Sequence, residues 1–149
     1  MAKSGEPLRV VTYPFGELRT YRYTVIFARH RGKWLYARHR DRDSWETAGG
    51  KVEKGETPMD CARRELIEET GAKEFDIQPA FDYAVYGSTE SSYGQVFYAE
   101  VETLGELPPG SEMREVTSFP TTPDTMTYPQ ILPVIFAELQ KRLPPISCP

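Results

Sequence analysis

Three glutamates, Glu65, Glu68 and Glu69, stand at i, i+3 and i+4. If the segment is helical, their carboxylates share one stripe. An ordinary solvated face carries Lys or Arg at such spacings, whereas each like-charged pair costs roughly 0.2–0.5 kcal/mol. A cation relieves that repulsion. An all-oxygen donor set suits Mg²⁺ or Mn²⁺, with bound phosphate oxygens completing the shell. A merely solvated acidic helix face has the same appearance, so the surrounding residues decide.

The elements that position these glutamates are legible nearby. Thr57 is a good N-cap, Pro58 fits the first helical position and Gly71 stands where a helix-ending glycine belongs, which predicts a helix over Pro58–Thr70. At about 100° per residue, Met59, Ala62 and Leu66 fall on one face, suited to packing on a sheet. Tyr21–Ala28 and Lys33–His39 read as a hairpin turning at Gly32, followed by a charged loop Asp41–Ser44 and an extended piece Trp45–Ala48. Phe75–Tyr86 and Gln95–Val101 read as strands joined by a polar loop, Gly87–Gly94, and a last helix is expected over about Pro129–Arg142. Beyond Leu107 the chain holds nine of its 13 prolines. No repeat or linker divides the 149 residues, so the expected fold is α/β (α+β), one domain over 1–149 with a mixed sheet between helices.

The stretch around the glutamates resembles the box of the Nudix hydrolase family, Gly-x5-Glu-x7-Arg-Glu-U-x-Glu-Glu-x-Gly-U, where U is a bulky aliphatic residue. Residues 50–72 supply Gly50, Glu56, Arg64, Glu65, Leu66, Glu68, Glu69, Gly71 and Ala72, the last a small member of its class. Ala48 departs from the family, which usually has proline before the two glycines. The resemblance implies an α/β/α sandwich and water attack on a nucleoside diphosphate linkage. It makes Glu65, Glu68 and Glu69 the catalytic metal ligands for Mg²⁺ or Mn²⁺, joined by the carbonyl of Gly49. Glu56 and Arg64 become a pair locking loop to helix, and Gly50 and Gly71 supply backbone freedom. A further acidic ligand often follows the box, and Glu112 matches best. An arginine near the end of the second strand contacts phosphate in related triphosphatases, which falls here on Arg38.

Other residues leave alternatives open. Four tyrosines between Tyr83 and Tyr98 could stack a base or simply pack half-buried. His30 and His39 lack ligand spacing and read as surface residues. The family's oxidised-guanine enzymes often read the base with asparagine, which this chain lacks; Gln78, Gln95 or Gln130 could substitute. The proline of ADP-ribose cleavers has no counterpart near Gly87 and Ser88. Eighteen Lys and Arg against 22 Asp and Glu, net −4, argue against a nucleic-acid-coating role. Cys61 and Cys148 suggest neither a disulfide framework nor a metal cluster. Met1–Thr12, with Lys3, has no signal-peptide apolar run, and nothing approaches a membrane span.

The expectation is a cytoplasmic, monomeric or homodimeric hydrolase of a nucleoside triphosphate or modified nucleotide such as 8-oxo-dGTP, with no stable nucleic-acid complex and no membrane. The alternatives are a nucleotide-sugar or dinucleoside-polyphosphate pyrophosphatase and a non-catalytic nucleotide-binding regulatory module.

Overall fold

A computed structural model describes residues 7–143; Cys148 and the start of the chain, with Lys3, lie outside the described residues. The element order is β1 (Arg9–Pro14), β2 (Tyr23–His30), β3 (Lys33–His39), β4 (Trp45–Glu46), β5 (Ala48–Lys51), α1 (Pro58–Thr70), β6 (Ala72–Tyr86), β7 (Ser91–Leu104), β8 (Met113–Phe119) and α2 (Leu132–Arg142). The strands form one mixed sheet in the order β1-β6-β7-β2-β3-β4, with β5 on β2 and β8 on β3. β2 and β7 run parallel, and the other pairs are antiparallel.

Alternation along β2 shows how the layers arise. Val25 and Phe27 point to the side covered by Ile131, Ile135, Phe136 and Leu139 of the α2 segment. Ile26 and Ala28 point to the other side, against Ala62 and Leu66 of α1. Successive side chains leave opposite faces of a strand, so an all-apolar strand needs cover on both. The result is the expected sandwich. Met59 joins Ala62 and Leu66 as expected, and burying Leu66 alone contributes about 1.5–3 kcal/mol.

The expected bounds of α1 are reproduced, for the expected reasons. Thr57 Oγ1 accepts the Asp60 N–H at 3.1 Å, and Asp60 Oδ2 accepts the Thr57 N–H at 3.1 Å. At the far end Gly71 takes φ +78°, and its N–H closes on Ile67 O at 3.0 Å. A side chain at Gly71 would also meet the carbonyls of Gly105 and Glu106.

Elsewhere the structure corrects the sequence reading. β6 and β7 are longer than expected, so the loop between them contracts to a turn in which the Gly87 N–H reaches Glu90 O at 2.8 Å. The last helix starts at Leu132, not Pro129. β1 and β8 were not anticipated. β8 lies in the proline-punctuated region and is recruited through pairing with β3 rather than by its own pattern.

One pairing event shapes the site. β2 and β3 pair only beside their turn, through Arg29↔Trp34 and His30↔Lys33. Beyond it they separate, β2 taking β5 as partner and β3 taking β4 and β8. The end of α1 and the residues before β8 meet at this opening.

Candidate active site

Gly49 and Gly50 lie on β5 where it passes beneath α1. A Cβ at Gly49 would collide with Thr24 O of β2, and one at Gly50 would collide with the Glu65 carboxylate. Gly50 is therefore required for space rather than for the backbone freedom expected of it. The gap lets Glu65 and Glu69 reach down from the helix to the strand, and the Gly49 N–H donates to Glu69 Oε1 at 2.9 Å.

Arg64 organises the opposite side. Its Nε and Nη2 donate to the two Glu56 carboxylate oxygens at 2.6 and 2.9 Å, the bidentate geometry that Arg provides. The expected Glu56–Arg64 pair is therefore present. Nη1 lies 2.5 Å from Glu65 Oε1 and 3.4 Å from Glu68 Oε2. Glu56 also accepts the Glu53 N–H at 2.9 Å. Arg64 and that backbone bond hold its carboxyl down to about 2.

The glutamates differ by depth. The Glu68 side chain is 51% exposed, whereas Glu69 is 8% exposed. Burial pushes the Glu69 carboxyl up to about 9, with Glu65 adding to it and the Gly49 N–H opposing. Burial likewise raises Glu65 to about 7 against the pull of Arg64. Among the described residues no three His, Cys, Asp or Glu side chains form a ready-made metal site. Glu65 and Glu68 share the charge of Arg64 instead. The donor set still fits a hard divalent cation, because Glu69 is buried, Glu65 is mostly shielded, and a single guanidinium serves Glu53, Glu56, Glu65 and Glu68.

These shifts carry a sign. Both groups titrate higher in the folded protein than in the unfolded chain, so the folded state binds more protons from about pH 4.5 upward. Their contribution to stability is complete below that range and lost as pH rises through about 7 and 9. In EDTA the thermal midpoint should therefore fall between pH 5.5 and 9.5, and Mg²⁺ should stabilise more at the alkaline end. A midpoint that is flat or rises over this range would contradict the crowding of Glu65 and Glu69.

The glutamates open onto a cleft of about 330 Å³ lined by His39, Arg42, Glu46, Gly49, Gly50, Lys51, Glu53, Arg64, Glu65, Glu69, Glu112, Met113 and Tyr128. Glu112, 76% exposed just before β8, closes one side. A second cleft of about 220 Å³ continues past Glu46, Gly49, Gly50 and Tyr128. Its walls are apolar and aromatic: Tyr23, Val25, Ile131 and Leu132, with Thr24 and Thr47. A polar, carboxylate-lined compartment thus shares a wall with a mostly apolar one.

Several expected residues lie elsewhere. Arg38 does not line either cleft: its guanidinium sits 4.0 Å over the Trp45 ring and 3.4 Å from Glu115. Tyr83 is fully buried, Tyr98 packs on Trp34, and Tyr86 packs on Tyr93, so these tyrosines hold the sheet rather than line the clefts. Gln95 is buried against Asp82 at 2.9 Å and Gln78 pairs with Asp76 at 3.2 Å; neither these nor Gln130 lines the apolar compartment. His30 is anchored on Val101 O at 2.8 Å, so it is not a free surface residue.

Three contributors were missed. Glu46 stands between the compartments, accepting from Arg42 Nη1 at 3.1 Å and Thr127 Oγ1 at 3.0 Å. Tyr23 and Tyr128 come from opposite ends of the chain. Glu46 alternates with the buried Trp45, which was the one local signal available.

The chain is similar to several known proteins. YtkD of Bacillus subtilis (strain 168), which carries the provisional name 8-oxo-dGTP diphosphatase, is 30% identical over 106 residues, 71% of this chain and 66% of that protein. An RNA pyrophosphohydrolase of Halorhodospira halophila is 42% identical over 65 residues, 44% of this chain and 33% of the relative. The chain thus spans less than two thirds of these relatives' lengths. Among solved structures, the Bacillus subtilis pyrophosphohydrolase BsRppH superposes with a TM-score of 0.77 at 22% identity, covering 95% of this chain and 98% of that one. A NUDIX-family hydrolase from Clostridium perfringens reaches 0.63 at 18% identity, covering 85% and 100%. At these identities the structural likeness shows the fold. No described helix is long and apolar enough to cross a membrane. The family model for the NUDIX domain matches residues 18–132, a span that holds the box and both clefts, and the chain belongs to that family.

Proposed function

We propose that this protein hydrolyses the diphosphate linkage of a nucleoside triphosphate or modified nucleotide, such as 8-oxo-dGTP, to a nucleoside monophosphate and pyrophosphate. The observation that carries this reading is the shared wall at Gly49–Gly50, with buried glutamates on one side and an apolar, tyrosine-bearing pocket on the other. A nucleotide has the same two halves. The base would lie between Tyr23, Tyr128 and the Ile131–Leu132 edge, shielded from water. The phosphates would lie in the polar compartment beside the Gly49–Gly50 wall, against Glu65 and Glu69.

Glu65, Glu68 and Glu69, with the Gly49 carbonyl and Glu112, would hold Mg²⁺ or Mn²⁺. Such a cation supplies charge neutralisation on the diphosphate and a lower pKa for the attacking water. Arg64 holds Glu65 and Glu68 in place through Glu56, and Lys51 and Arg42 add positive charge along the phosphate path. An ionised carboxylate of the wall takes the proton of the water as its oxygen bonds to phosphorus and the bridging P–O bond breaks. Residues 1–149 would act as one cytoplasmic domain, monomer or homodimer, on a free nucleotide, without membrane attachment or a stable nucleic-acid complex.

A second reading rests on a further cleft of about 500 Å³ beyond the glutamates, where Ile67, Pro108 and Pro109 form an apolar edge. It would suit a group attached beyond the diphosphate, as in a nucleotide sugar or dinucleoside polyphosphate. The relative named an RNA pyrophosphohydrolase adds RNA as a further substrate class to be tested.

A panel of nucleoside triphosphates, 8-oxo-dGTP, nucleotide sugars, dinucleoside polyphosphates and a 5′-triphosphorylated oligonucleotide, assayed with Mg²⁺ and product identification, separates these readings. EDTA should abolish turnover, and Mg²⁺ or Mn²⁺ should restore it. Full activity in EDTA would sink the catalytic reading of the box, and nucleotide binding without turnover would make the chain a regulatory module.

A further inference from the structure

β3 and β8 keep register from Trp34↔Phe119 to Arg38↔Glu115, and then the ladder slips. His39 pairs with Met113, leaving Arg114 as the extra residue. A bulge of this kind bends the strand that carries it and redirects side chains nearby. Here it accompanies a division of labour between neighbours. Arg38 turns to Trp45 and Glu115, and His39 enters the glutamate cleft beside Glu65, Glu69 and Glu112.

The imidazole is held there. Its side chain is 17% exposed, and Nδ1 accepts the Asp41 N–H at 3.1 Å. An Nδ1 that accepts leaves the ring proton on Nε2. Nε2 faces Glu112 Oε2 across 3.9 Å, outside hydrogen-bond distance. Among the described residues, Nε2–H is thus a donor directed into the cleft with no acceptor bound. Of the cations lining this cleft, Arg42 is paired with Glu46 and Arg64 with Glu56, Glu65 and Glu68, which leaves Lys51 beside His39 as a charge that can also face the substrate.

We propose that His39 orients the substrate phosphate, its Nε2–H donating to a non-bridging oxygen of the phosphoryl group that lies over the glutamates. In a cleft walled by carboxylates, a fixed N–H gives the anion a point of attachment that competes with no cation site. Nδ1, anchored on the Asp41 backbone, keeps the ring from rotating away, so phosphorus is presented in one orientation. The assignment rests on the nucleotide-hydrolase reading above.

Two variants separate the two ring nitrogens. His39→Gln can place an amide N–H where Nε2 stood, and His39→Asn can keep the bond to the Asp41 N–H while losing the donor. Each is compared with the wild type in kcat/KM on the best panel substrate and in affinity for α,β-methylene-dGTP with Mg²⁺, with thermal midpoints as a check on folding. The expected result is His39→Gln within about threefold of the wild type and His39→Asn lowered about 10- to 100-fold in both readouts, the usual range for a hydrogen bond to a charged group. An anchoring role alone would give the reverse order. His39→Asn at or above His39→Gln, equal losses, or no loss in either would overturn the proposal while leaving wild-type hydrolysis intact. Wild-type protein that binds the analogue with the expected order yet hydrolyses nothing would overturn the hydrolase reading and leave the contact standing. If the wild type neither binds nor hydrolyses, both fall.

Discussion

Glu69→Gln should lose at least ~100-fold in turnover at saturating Mg²⁺, about 2.7 kcal/mol of transition-state stabilisation, the loss found when a single electrostatic contact is removed from an active site. The same variant should keep, or slightly raise, its thermal midpoint in EDTA. The side chain is 8% exposed and its carboxyl is pushed up to about 9, so a neutral amide of the same shape matches the metal-free fold. The amide oxygen can still accept the Gly49 N–H that Glu69 Oε1 accepts at 2.9 Å. Glu56→Gln should behave differently. It breaks the bidentate pair that anchors Arg64, the guanidinium that holds Glu65 and Glu68, so both midpoint and activity should drop. Turnover and EDTA midpoints measured for the two variants in parallel give the answer. A Glu69→Gln protein that is destabilised yet nearly fully active would show that the acidic stripe is scaffold.

Alanine at the two adjacent glycines should separate folding from chemistry. At Gly49 the added methyl meets the backbone carbonyl of Thr24, which is fixed in β2 by pairing on both sides. Overpacking against backbone of this kind should cost about 3 kcal/mol, the upper part of the usual range, and Gly49→Ala should melt well below the wild type. At Gly50 the methyl meets only the far end of the Glu65 side chain, which can turn aside. Gly50→Ala should therefore keep its midpoint within a few degrees and lose roughly 10- to 100-fold in activity, because a displaced Glu65 no longer meets developing charge in the required geometry. Urea titration and turnover on the same preparations test both halves. Equal stability in the two variants would show that β5 is free to move away from β2.

The local features of this protein were determined by its sequence alone. α1 runs over Pro58–Thr70 because Thr57, Asp60, Pro58 and Gly71 each satisfy a helix end through neighbours at most four residues away. The glutamate spacing and the Glu56–Arg64 pair follow from the same helix and the loop that precedes it. Only the tertiary structure decided what those glutamates face. β8 carries little pattern of its own and became a strand through β3, bringing Glu112 and His39 together from positions 73 residues apart in the chain. Tyr23 and Tyr128 were drawn to one pocket from β2 and from the segment before α2. Arg38 and His39, adjacent and both N–H donors, could not be told apart by spacing. The slip at Arg114 accompanies one turning to Trp45 and the other to the cleft. Helix caps and spacings are short-range and written in neighbouring residues, whereas strand partners and bulges are settled by which distant segments pair, so pocket walls are not legible along the chain.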